Sequence, residues 1–138
     1  MNLRLYSNKI DDYLKIPSII DYDNKCIQDL AEELNKDNLK EIDLIKSIFE
    51  YVRDNINHTI DVMGKKVTSK ASEVLIHKEG ICYAKSHLLA ALLRYHKIPA
   101  GFCYQKLILC DESAPYKILH GLLKKKRILT IWKMLNCG

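Results

Sequence analysis

Apolar positions recur at helical spacing in two stretches of the first half of the chain. They are Ile27, Leu30, Ala31 and Leu34 between Asp23 and Asn35, and Ile42, Ile45, Phe49, Val52 and Ile56 between Leu39 and Asn57. That periodicity predicts two amphipathic helices, each offering one face to a core. After Asn57-His58 comes a loop holding Gly64, Lys65 and Lys66, then a short helical segment from Ala71 to His77 for which Ser69 or Thr68 would be the cap. From Cys82 to His96 the pattern changes, because Leu88, Leu89, Ala90, Ala91, Leu92 and Leu93 leave little polar face. A helix apolar nearly all round is a central, buried one. Lys97-Ile98-Pro99 should end it, since proline disfavours helix at the residue before it.

The remainder reads as strand. GFCYQKLILC, residues 101–110, is rich in aromatic and β-branched residues, and Asp111 to Pro115 makes a turn. Lys117 to Leu123 and Ile128 to Leu135 then form two more strands around the basic turn Lys124-Lys125-Lys126-Arg127. Helices followed by an antiparallel sheet define an α+β layout. No repeat, low-complexity tract or linker divides the chain, and 138 residues with 48% apolar content suffice for one core, so a single domain over 1–138 is expected.

Composition narrows the function classes. The formal charge of +5 is uneven: residues 1–112 carry 16 Lys/Arg against all 17 acids, whereas residues 113–138 carry six Lys/Arg and no acid. Aromatics do not interleave with that basic end, so it reads as a solvated hairpin or a guarded strand edge, and no nucleic-acid partner is expected. The opening MNLRLYSNK holds no apolar run of signal-peptide length, and no stretch approaches a membrane span. A cytoplasmic chain without a membrane partner is the expectation. Five cysteines (Cys26, Cys82, Cys103, Cys110 and Cys137) are an odd number and point to free thiols in a reducing compartment. No Cys-x-x-Cys or His-x-x-x-His pair occurs, so a metal site is not expected. Cys26, Cys103 and Cys110 read as core or strand fillers.

Cys82 stands apart. It occupies the first turn of the buried helix, where unpaired N–H groups and the helix dipole favour a thiolate, the nucleophilic form. Gly80 before it leaves room for a substrate. The competing reading makes Cys82 a small buried hydrophobe. A catalytic thiol needs a base. His87 lies about 140° round the helix from Cys82, and His96 about 21 Å along it. His58 and His77 fit better at helix C-terminal ends. His120 remains, in the strand Lys117 to Leu123. Asn136 could orient it, because no acid follows Ser113 and a hairpin centred on 127–129 would set the two side by side.

The run VTSKASEVLIHKEGICYAKSHLLAALLRYHKIPAGFCYQKL, then HGL, then Trp132 four residues before Asn136, resembles the bacterial transglutaminase-like superfamily, relatives of papain-type thiol enzymes. The likeness spans roughly residues 22–137. It implies a papain/transglutaminase-like fold in which the cysteine-bearing helix packs on a C-terminal antiparallel sheet. It further implies Cys82 as nucleophile, His120 as general base and acid, and Asn136 as the third member, where that family usually places Asp. Such domains ordinarily continue for several more elements, so the chain reads as short at its C-terminus.

The expected function is acyl transfer on a peptide or protein carboxamide through a Cys-His-Asn triad and a thioester, resolved by water (protease or amidase) or by an amine (transglutaminase). No cofactor is required. The Cys82 N–H is a natural oxyanion donor and Gln105 a second candidate. The alternative is a domain that keeps the fold, has lost turnover and holds a peptide or partner in the same groove.

Overall fold

The computed structural model describes residues 7–105 and 127–129. After a 3₁₀ turn at Ile10–Tyr13, the order is α1 (Lys25–Leu34), α2 (Glu41–Asn55), β1 (Asn57–His58), α3 (Ala71–His77), β2 (Glu79–Gly80), α4 (Cys82–Tyr95), β3 (Cys103–Gln105) and β4 (Arg127–Leu129). This is an α+β arrangement dominated by helices.

Helix α4 is the hub, with α1, α2 and α3 packed on it. Its Ala84 and its whole run from Leu88 to Leu93 are buried. Around them α1 supplies Ile27, Leu30 and Ala31, α2 supplies Leu44, Ile48 and Val52, and α3 supplies Ala71, Val74 and Leu75. Burying each of the Leu, Ile and Val side chains contributes about 1.5–3 kcal/mol, with less from each alanine, and this term holds the bundle together.

Local chemistry sets the helix ends. The Asn24 side chain caps α1 by accepting the Cys26 N–H at 3.1 Å. Neither Ser69 nor Thr68 caps α3. Glu73 instead reaches back to the N–H groups of Ser69 and Lys70, and Asp21, fifty-one residues upstream, accepts from both the N–H and the hydroxyl of Ser72. Helix α4 closes without waiting for Pro99. The Lys97 N–H donates to Arg94 C=O and the Ile98 N–H to Leu93 C=O, both at 3.0 Å, with Lys97 left-handed at φ 62°. That pairing is a Schellman motif, with lysine where glycine is usual.

Four further expectations are corrected. The core stripe of α2 is Leu44, Ile48 and Val52, continued by Ile56, whereas Ile42 and Phe49 are 52% and 42% exposed. Two apolar stripes overlap on this helix, and packing against α4 chose the other one. His58 sits in β1, not at a helix end. Residues 127–129 form a strand paired with β3, Cys103 opposite Leu129, so they are not the centre of a hairpin. The register argument that set His120 beside Asn136 therefore does not hold. β3 and β4 do pair antiparallel, and β4 touches α4, but the described part of that region is two three-residue strands, so the full C-terminal antiparallel sheet expected under α4 is not supported. The strand expected over 117–123 lies outside the described residues. A pair that the sequence did not reveal is β1 with β2, which run parallel with Asn57 opposite Glu79 and His58 opposite Gly80.

Candidate active site

Cys82 is the first residue of α4 and is exposed, which overturns the reading of it as a buried hydrophobe. The contrast within the helix is sharp. Nearly every residue from Leu88 onward is interior, while the thiol is presented to solvent. Ile81 precedes it in extended conformation (φ −77°, ψ 173°) and makes no side-chain cap. The Lys85 N–H donates to Ile81 C=O at 3.0 Å and opens the hydrogen-bond ladder of α4, and among the described residues no backbone partner is seen for the N–H groups of the first turn, as is usual at a helix start. The Ser86 hydroxyl donates to Cys82 C=O at 2.9 Å and fixes the first turn.

The strand leading into the thiol is held from both sides. Asn57 N–H donates to Lys78 C=O at 2.9 Å, Thr59 N–H to Gly80 C=O at 3.4 Å, and the Thr68 hydroxyl to Glu79 C=O at 3.0 Å. Lys78 enters that strand in the left-handed region at φ 55°, which makes the sharp reversal out of α3. Gly80 serves the interior. It is buried, and a Cβ there would meet Ala84 Cβ at 3.1 Å, Thr68 Oγ1 at 3.3 Å and Val74 Cγ1 at 3.4 Å. Its missing side chain lets β2 close on α3 and α4, a packing reason rather than an opening for substrate.

Three of the described histidines have hydrogen-bond partners elsewhere. His87 Nδ1 lies 2.7 Å from Ser69 C=O, which makes it the protonated nitrogen, and its ring packs against Tyr83 and Phe102. Burial holds its pKa below the ordinary histidine value. His96 Nε2 is 2.9 Å from Ala31 C=O at the opposite end of α4. His77 ends α3, as expected, and His58 Nδ1 accepts weakly from Ile60 N–H at 3.4 Å. His120 and Asn136 lie outside the described residues. Gln105 is the last residue of β3, opposite Arg127. Cys26 is half-buried, and burial pushes its thiol pKa up. Among the described residues, no three His, Cys, Asp or Glu side chains gather as a metal site, and no helix is long and apolar enough to cross a membrane.

Sequence reasoning overlooked two cations on α4. Arg94 is 5% exposed and, among the described residues, gives its hydrogen bonds to backbone: Nε and Nη2 to Ala100 C=O at 3.1 and 2.6 Å, Nη1 to Lys15 C=O at 2.7 Å. Lys85 donates its Nζ to Ile56 C=O at 2.7 Å. The signal was available, since each is a charged residue in a stretch otherwise almost wholly apolar.

An exposed cysteine at the start of a buried helix, on an α+β frame, defines a class of thiol-bearing folds. The family model of the transglutaminase-like superfamily matches residues 28–117, well over half of the chain, and the chain belongs to that superfamily. The matched region includes Cys82 and stops before His120 and Asn136. No curated protein and no solved structure matches the chain.

Proposed function

We propose that this chain is a cysteine acyl-transfer enzyme acting on a peptide or protein carboxamide. The observation that carries the reading is the exposed Cys82 at the N-terminus of α4 in a transglutaminase-like domain. The start of a helix, where the dipole is positive and the first N–H groups lack helical partners, is the kind of position at which a cysteine acts as a nucleophile. In the proposed reaction the Cys82 sulfur attacks the carbonyl carbon, and the developing oxyanion is met by the Cys82 N–H, with Gln105 as the second donor. His120, having taken the thiol proton, gives it to the leaving amine as the C–N bond breaks. Asn136 orients the imidazole. The product is a thioester on Cys82, which water converts to an acid or a second amine to a new amide.

The test is capture of that intermediate. p-Nitrophenyl acetate should acetylate Cys82, located by peptide mass spectrometry, and hydroxylamine should remove the label. Cys82→Ala should abolish the adduct and His120→Ala should slow its formation. Acetylation of Cys82 no faster than of Cys26 would refute the proposal and leave the fold as a peptide- or partner-binding domain.

A further inference from the structure

The loop between β1 and α3, residues 59–67, carries apolar side chains that the core does not use. Ile60, Val62, Met63 and Val67 are 49%, 46%, 87% and 79% exposed. The loop is held by its own backbone. Gly64 N–H donates to Thr59 C=O at 2.8 Å and Met63 N–H to Ile60 C=O at 3.2 Å, a Schellman-type closure with Met63 left-handed at φ 50°. That position favours glycine or asparagine, and a methionine side chain so exposed gains no packing in return. An apolar residue held there against local preference, with no interior contact, points to a contact outside the fold.

Both ends of the loop are tied to β2. Thr59 N–H donates to Gly80 C=O at 3.4 Å and the Thr68 hydroxyl to Glu79 C=O at 3.0 Å, while the absent Cβ of Gly64 makes room for the Glu79 carboxylate. The peptide that receives Thr59 joins Gly80 to Ile81, and Cys82 is the next residue. The base of the loop is therefore fixed close to the thiol. An extended chain spans about 3.3–3.6 Å per residue, so a polypeptide with its reacting carbonyl at Cys82 comes to the loop within about three or four residues.

We propose that the loop of residues 59–67 recognises the acyl-donor polypeptide, taking an apolar side chain that lies about three residues from the reacting carboxamide. The inference rests on the reading of Cys82 as nucleophile. Charge refines the substrate class. Lys65 and Lys66 in the loop and Lys70 after it are exposed, with Asp61 as the exposed acid. Glu73 is engaged on the N–H groups of Ser69 and Lys70, and Glu79 is half-buried against Gly64. The exposed charge is positive on balance, which favours an acidic residue beside the apolar one. Other occupants fit less well. A stable dimer buries about 800 Å² on each partner, more than four side chains of one loop supply. Three lysines fall short of the roughly 4–8 basic residues of a lipid-binding cluster.

The experiment is affinity labelling of Cys82 in the full chain by peptides that carry a chloroacetyl group on diaminopropionate in place of glutamine, the sulfur displacing chloride to form a thioether. The probe has the order diaminopropionate, glycine, glycine, leucine, aspartate, and a second probe reverses it. Each is compared with a form holding alanine for leucine and a form holding lysine for aspartate. In one of the two polarities the leucine probe should label Cys82 about tenfold faster than the alanine probe, as expected for one apolar anchor, and faster than the lysine form. Met63→Asn, which suits the left-handed position, and Val67→Ser should bring the leucine rate down to the alanine rate while iodoacetamide labelling of Cys82 stays unchanged. Both side chains are solvent-facing, and thermal melts check that the variants fold. Equal leucine and alanine rates in both polarities, with iodoacetamide still labelling Cys82 below about pH 7, would overturn this assignment alone. Iodoacetamide labelling that rises only near the free-thiol value of about 8.5 would overturn the nucleophile reading and this assignment with it. A sedimenting dimer, or binding to phosphatidylserine vesicles, that Met63→Asn abolishes would give the loop to a second copy or a lipid surface and also overturn it.

Discussion

Removing the guanidinium of Arg94 should cost this small domain a substantial part of its stability, although the residue is remote from the thiol. Three hydrogen bonds leave that group, two to Ala100 C=O and one to Lys15 C=O, and the side chain is 5% exposed. They tie the N-terminal segment and the turn after α4 to the central helix. In Arg94→Met the aliphatic stem is replaced while the buried Ala100 C=O loses both of its guanidinium donors, at about 1–3 kcal/mol for a buried acceptor left unsatisfied. Relief from burying a cation recovers part of that, since a desolvated charge carries its own penalty, and the lost tie to Lys15 C=O adds to the cost. The net loss should be about 1–3 kcal/mol. Arg94→Lys, which can reach one of the two carbonyls, should lose about half as much. Urea unfolding followed by far-ultraviolet circular dichroism reads the difference as a change in midpoint at constant slope. A loss below about 0.5 kcal/mol in the Met variant would refute the reasoning, because these bonds would then contribute nothing beyond what water supplies in the unfolded chain.

Other expectations follow from the same geometry. Gly80→Ala should destabilise by about 1–3 kcal/mol in the same assay, because the new methyl meets Ala84, Thr68 and Val74 at 3.1–3.4 Å in a packed corner. Lys97→Gly should stabilise by about 0.5–1 kcal/mol, since the left-handed C-terminal position of α4 suits glycine. His87 has a folded pKa below its unfolded value through burial, so the unfolded state binds the extra proton first. Its contribution is intact above the unfolded pKa of about 6.5 and is lost as pH falls toward the folded value. His87→Asn, which keeps a donor near Ser69 C=O, should flatten the pH dependence of stability in that window, as urea midpoints across the pH range would show.

The helices were legible because their signals are local. The spacing of Ile27, Leu30 and Ala31 sufficed for α1, and the unbroken run from Leu88 to Leu93 sufficed to place α4 at the centre. What the chain hid was set by tertiary contacts. The choice between Leu44-Ile48 and Ile42-Phe49 depends on where α4 lies, and both stripes have helical periodicity. A two-residue parallel pair such as β1 and β2 leaves no periodicity at all, and the tie from Asp21 to Ser72 spans fifty-one residues. The hairpin centred on 127–129 failed because a basic run resembles a turn, whereas those residues pair with β3. Of the candidate site, the position of Cys82 was readable from Gly80-Ile81-Cys82 and the apolar run behind it. The interior duty of Gly80 and the path of Lys85 to α2 depend on packing that residue spacing does not encode.

The central claim is that Cys82 is an activated thiol, and the same molecule carries a reference for it. Cys26 is half-buried, and burial raises its pKa. The measurement is the ratio of iodoacetamide labelling at Cys82 and Cys26 from about pH 5.5 to 9, in the parent chain and in His120→Ala. The account predicts rapid Cys82 labelling that persists below about pH 7, a ratio that grows as pH falls, and a marked drop in that ratio when His120 is removed. Labelling of Cys82 that rises only near pH 8.5 and is indifferent to His120 would contradict it.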